Sequence, residues 1–122
     1  MSNNNQSKFN LAERTAKYGI EIIRFVKLLP ETNINKPLIN QLVRSATSVG
    51  ANYMEADCSD SAKDFIHKMI ICKKEAKETC YWLQMIAETN PEKKDECRKY
   101  WREAHEFILI FSKSIQTKKN KK

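Results

Sequence analysis

Two histidines, four cysteines and several clusters of basic side chains are the groups in this chain whose types could do chemistry. A carboxylate-bridged metal centre in a helical protein draws Glu from two helices and Glu-x-x-His from two more. No Glu-x-x-His occurs here: His67 follows Asp64 by three residues, and His105 lies in a different segment. No metal or cofactor is expected. Cys58, Cys72, Cys80 and Cys97 are separated by 14, 8 and 17 residues and form no C-x-x-C pair. A reactive thiol needs a base or positive field beside it, and none of the four has a paired His. Cys72 and Cys97 fall on apolar stripes and read as small hydrophobes. Two glycines cannot build a phosphate-cradling loop. No catalytic residue is assigned, and the chain is read as a non-enzyme.

The basic side chains offer more. The formal charge is +7, but four lysines follow Thr117, and without them the balance is only +3. Lys73, Lys74 and Lys77 cluster in one stretch, and Lys94, Arg98 and Arg102 recur every four residues. Like charges at that spacing oppose a helix by a few tenths of a kcal/mol per pair. The stripe is either a solvated face, helped by Asp95 and Glu96, or a contact for the phosphates of RNA or DNA, held through counterion release. Tyr18, Phe25, Phe65, Trp101 and Phe111 follow core spacing, so base stacking is not expected.

These groups must be positioned by helices. The 122 residues include only two Gly and three Pro, too few to punctuate a chain of short strands. A composition of 41% hydrophobic residues suffices for one core without disulfide or metal staples. The N-terminus lacks the apolar stretch of a signal peptide, and no segment approaches the roughly 20 apolar residues that span a bilayer. A cytoplasmic chain with free thiols and no membrane contact is expected.

Four helices are predicted, at about 11–29, 36–57, 61–89 and 91–116, within a bundle over 10–117. A flexible segment over 1–9 and a basic tail over 118–122 flank it. Asn10 with Glu13, and Ser61 with Asp64, have capping-box spacing. Asn35 or Lys36 is the expected cap of the second helix, and Asn90-Pro91-Glu92 the start of the fourth. Leu11, Thr15, Tyr18, Ile22, Phe25 and Leu29 alternate steps of four and three, as do Ile39, Leu42, Ala46, Val49, Tyr53 and Ala56. The third helix repeats the pattern from Phe65 to Ile86, and the fourth through Cys97, Trp101, Ala104, Ile108, Phe111 and Ile115. Short connections between helices of similar length predict an all-α, antiparallel up-down-up-down four-helix bundle. Gly50, mid-helix, costs about 1 kcal/mol relative to Ala, which predicts close backbone approach there. Ile66, Ile70, Ile71, Trp82 and Met85 lie off the third helix's main seam, and Tyr81 and Trp82 are assigned to packing between subunits.

On the second helix, Arg44, Ser48, Asn52 and Glu55 share one face at steps of four, four and three. They form either a structural ladder, with Arg44 paired to a carboxylate such as Glu78 and Asn52 bonded to a neighbouring helix, or a ligand or subunit-contact pocket. The run from Gln41 to Ala56, with the Asp64-Phe65-Ile66 start of the third helix and Glu78, resembles the bacterial four-helix-bundle family first recognised as products of intervening sequences in large-subunit ribosomal RNA genes. The likeness covers roughly residues 9–115. It implies an up-down bundle assembling as a homopentamer. A similar bundle is the accessory subunit of diversity-generating retroelements, where a basic barrel engages a reverse transcriptase and nucleic acid. The chain departs from the common pattern at Gly50, often Pro, and at Lys73, Lys74 and Glu75, where apolar or small residues are usual. The expected partners are copies of itself and RNA or DNA; the alternative is an adaptor for a protein encoded nearby, without nucleic-acid affinity.

Overall fold

The computed structural model describes residues 10–121; the N-terminal segment 1–9 and Lys122 lie outside the described residues. Four α-helices form in chain order: α1 Leu11–Val26, α2 Asn35–Asp57, α3 Ala62–Thr89 and α4 Lys94–Asn120, the last preceded by a 3₁₀ turn at Pro91–Lys93. Gly19 lies beside Thr47 and Gly50 beside Thr15, so α1 and α2 run antiparallel. Glu55 meets Lys68 while Arg44 meets Glu75, which reverses α3 on α2. Cys80 reaches the carbonyl of Trp101, and Lys118 lies over the ring of Phe65, which reverses α4 on α3. The bundle closes where α4 returns to α1. The Tyr18 hydroxyl there donates to the Tyr100 carbonyl at 2.9 Å, and its ring meets Phe107 edge-on at 5.5 Å.

Helix ends differ from the sequence reading in several places. α1 stops at Val26 and not at Leu29, because Pro30 disfavours helical geometry in the residue before it. Lys27–Leu29 form a tight turn, with the Leu28 and Leu29 amides bonded to Phe25 and Val26 carbonyls. Asn35 does not cap α2: the Thr32 hydroxyl accepts its backbone N–H at 3.0 Å, and the Asn35 side chain turns inward. α4 continues through Lys118 and Lys119 to Asn120 where a tail was expected from residue 118, and the Lys118 ammonium sits 5.0 Å from the Phe65 ring centroid. Ser61 caps α3 by accepting the Asp64 amide at 3.1 Å. The side chain of Asn10 bonds the Glu13 carboxylate and caps no backbone group.

The core runs along the bundle axis through Tyr18, Ile22, Leu42, Val49, Met69, Leu83, Ile86, Phe107 and Phe111, all fully buried. On α4 the buried residues are Cys97, Ala104, Phe107, Phe111 and Ile115. Phe107 takes the central place that the sequence reading gave to Ile108, and Trp101 is only half-buried. The cause lies on α1. Tyr18 presents an edge to Phe107, and Phe107 in turn stacks on Phe111 at 5.8 Å, which rotates α4 toward its aromatic face.

Candidate functional site

Rotation of α4 places its cationic stripe along the α3–α4 seam. A surface groove of about 720 Å³ opens there. Leu83, Gln84, Ala87 and Glu88 form the α3 wall, Lys94, Cys97, Arg98, Trp101 and Arg102 the α4 wall, and Pro91 the end. The predicted trio Lys94, Arg98 and Arg102 is thus gathered on one lip, all three exposed. Each step of four residues advances about 6 Å along the helix, so the charges form a row. None of the three forms an ion pair among the described residues. Arg24 on α1, like the groove cations, forms no ion pair among the described residues. The two other arginines are engaged by carboxylates: Arg44 on α2, and Arg14, which bridges Glu103 and Glu106 at 3.0 Å each with its guanidinium over Phe107. Those contacts raise the Arg14 pKa against the opposing effect of its partial burial. The start of α4 adds the positive end of a helix dipole near Lys94.

Lys73, Lys74 and Lys77 do not line the groove. Lys77 and Lys73 stand seven and eleven residues before Gln84, within roughly 20° of its bearing on α3. They continue the same face toward the other end of the bundle. Lys74 and Lys77 are exposed, Lys73 half-buried, and none is ion-paired among the described residues.

The polar ladder of α2 lies on the α2–α3 seam. Arg44 pairs with Glu75 at 3.2 Å and with Glu78, and accepts orientation from Gln41, whose carbonyl takes its Nε–H at 3.1 Å. Ser48 donates to the Arg44 carbonyl and Asn52 to the Ser48 carbonyl at 2.8 Å, so Asn52 bonds within its own helix and not to a neighbour. Glu55 pairs with Lys68. With its charges neutralised and its hydroxyl and amide turned onto the backbone, this row leaves little to offer a ligand. Below it, sequence reasoning missed a buried contact: the hydroxyls of Ser45 and Thr79 are hydrogen-bonded at 2.9 Å.

The thiols are placed against nucleophilic work. Cys72, Cys80 and Cys97 are buried and unpaired, and Cys58 is exposed. Burial pushes the Cys72 thiol up to about 12, and those of Cys80 and Cys97 to about 11, so all three are protonated at neutral pH. His67 and His105 are exposed, and the His105 ring stacks parallel to Trp101 at 5.0 Å. Among the described residues, no group of three or more His, Cys, Asp or Glu side chains could hold a metal ion. No helix among them is long and apolar enough to cross a membrane.

Trp101 is the groove residue that spacing misplaced. Its position between Arg98 and Arg102 was the available signal, since a side chain flanked by exposed charges at one-turn spacing borders solvent.

Comparison with known proteins follows the fold. A solved structure of a protein of unknown function from the S23 ribosomal protein family of Bacteroides thetaiotaomicron is 29% identical in sequence and superposes with a TM-score of 0.74, covering 85% of this chain and 96% of that one. No curated protein matches the chain. The family model of the 23S rRNA-intervening sequence proteins matches residues 7–113. With that match reaching all four helices of the bundle, the chain belongs to the 23S rRNA-intervening sequence protein family.

Proposed function

We propose that this protein is a non-enzymatic, homo-oligomeric helical scaffold that binds nucleic acid electrostatically. The observation that carries this reading is the row of Lys94, Arg98 and Arg102 on one lip of a groove, without ion pairs among the described residues, while Arg14 and Arg44 are neutralised by carboxylates. A row of unpaired cations along one helix keeps its donors available for phosphates. Support for self-assembly comes from one face of α3, where Ile70 and Tyr81, eleven residues apart and so within roughly 20° of one bearing, are each about half exposed. Trp82 packs edge-on to Tyr81 at 4.9 Å, and its indole nitrogen is buried without an acceptor among the described residues. A pentamer, the assembly that the family resemblance implies, would multiply the field of each cationic lip.

Fluorescence anisotropy of labelled RNA and DNA tests the reading. Three phosphate contacts on a single strand predict a log–log salt slope near −2, roughly 20-fold weaker binding from 50 to 200 mM salt. Replacing Lys94, Arg98 and Arg102 by Gln is expected to abolish that binding with the assembly intact by light scattering. Unchanged binding of the triple variant would remove these three residues as the contact, no binding at low salt would favour the adaptor reading, and a monomer at micromolar concentration would remove the assembly.

A further inference from the structure

We infer that the α3–α4 groove takes a single strand of nucleic acid, with phosphates on the α4 lip and a base laid against the indole of Trp101. The inference rests on the nucleic-acid reading above and adds to it the form of the ligand and the residue that tells one form from another.

Three observations carry it. The groove is amphipathic and not merely basic: half-buried Ala87 and Trp101 line it over a floor formed by buried Leu83 and Cys97, and such a surface suits a planar apolar ring. Its volume, about 720 Å³, lies within the range of pockets that enclose a small organic ligand. The walls are adjacent packed helices, whose axes lie about 8–10 Å apart. A duplex could only lie across such a groove, touching the cationic lip and leaving the indole alone.

The two walls also differ in charge. Cations stand on α4, whereas α3 presents Gln84 and Glu88. A phosphate would be repelled by Glu88 and drawn to Arg98 and Arg102, which turns the base toward α3. Trp101 stacks on His105 with the rings 8° from parallel, which fixes the plane of the indole that a base would meet. This is the combination of a charged track and an aromatic platform by which single strands are held without sequence readout.

The test uses the full chain and its two tryptophans. In a Trp82→Phe background Trp101 is the sole indole, and its fluorescence is followed during titration with an oligo-dA of about 15 nucleotides, with the matching duplex, and with AMP, at about 50 mM salt. The expected result is saturable quenching by the single strand, weak or no quenching by the duplex, and AMP effective only at far higher concentration. Trp101→Leu should weaken the single strand by roughly 5- to 100-fold and leave duplex affinity unchanged. The quenching titration leaves position 101 intact and therefore stands if the leucine variant fails to fold. Binding of the strand without quenching, or equal quenching by the duplex, would overturn the inference while the electrostatic reading survives. Quenching by AMP as strong as by the strand would also overturn it, in favour of a free nucleotide. Binding of neither polymer by the unsubstituted chain would remove both readings.

Discussion

The carboxamides of Asn35 and Asn90, 55 residues apart, pair with each other head to tail: each Nδ2 donates to the other's Oδ1 at 2.9 Å. Both residues are buried at 2% exposure. Asn35 also donates to the Pro30 carbonyl, and Asn90 to that of Ile86. The pair therefore ties the α1–α2 loop to the α3–α4 turn at one end of the bundle. Replacing either residue by Ala strands the other amide in a dry site, and a loss of roughly 2–3 kcal/mol is expected. Urea denaturation of Asn35→Ala, Asn90→Ala and the double variant checks it. The double variant should lose clearly less than the sum, since its two sites share one interaction.

Gly19 and Gly50 are predicted to respond to alanine with opposite signs. A Cβ on Gly19 would meet Thr47 Cγ2 at 3.5 Å, an ordinary contact, so Gly19→Ala should gain about 0.5–1 kcal/mol from helix propensity. A Cβ on Gly50 would lie 3.3 Å from Thr15 Oγ1 and 3.4 Å from the Thr15 backbone carbon. Thr15 cannot yield easily, because it is buried and its hydroxyl is bonded to the Leu11 carbonyl at 2.8 Å. Gly50→Ala should lower the thermal midpoint where Gly19→Ala raises it. A rise in both would show that α1 and α2 move apart at little cost.

Polar coupling between α2 and α3 should reside in Ser45 and Thr79 more than in Arg44 and Glu78. The Arg44 side chain is 45% exposed and Glu78 42%, and pairs of that kind contribute about 0–1 kcal/mol. Ser45 and Thr79 are both fully buried. Thr79→Val is expected to cost about 1–2 kcal/mol, and Arg44→Ala less than that, by chemical denaturation at moderate salt.

Alkaline pH should loosen the bundle through its thiols. Cys72, Cys80 and Cys97 have folded pKa values near 12, 11 and 11, above the ordinary 9.0, because burial disfavours the thiolate. From about pH 9 upward the unfolded chain loses these protons while the folded chain keeps them. Stability is therefore complete below pH 9 and falls as pH rises, by roughly 1 kcal/mol per thiol at pH 10. A thermal midpoint lower by several degrees at pH 10 than at pH 8 checks the sign. Near neutral pH, only exposed Cys58 should react quickly with a thiol reagent, and rapid reaction of a second cysteine would contradict the burial.

Much of the bundle was legible in the spacing of apolar residues, because a helix displays its buried face locally at 3.6 residues per turn. Leu42, Ala46, Val49 and Ala56 on α2 are buried as their stripe predicts, and Ser61 caps α3 from its own neighbourhood. The candidate site was legible as a row of charges and not as a groove. Lys94, Arg98 and Arg102 announce themselves at four-residue steps; the opposing wall of Gln84 and Glu88 does not, since it is supplied by another helix.

By itself the sequence determined what is local: the number and approximate place of the helices, the turns at Pro30 and Pro91, and the surplus of positive charge. Tertiary structure decided between neighbours on a stripe and between partners for polar groups. Phe107 and not Ile108 entered the core, Trp101 came to the groove, Asn35 found Asn90, and Arg44 was neutralised while Arg98 was not. The physical reason is angular. Each residue turns a helix by about 100°, so periodicity defines a face but not its rotation against a neighbour, and that rotation is set by rings such as Tyr18 and Phe107 that meet from helices about 90 residues apart in the chain.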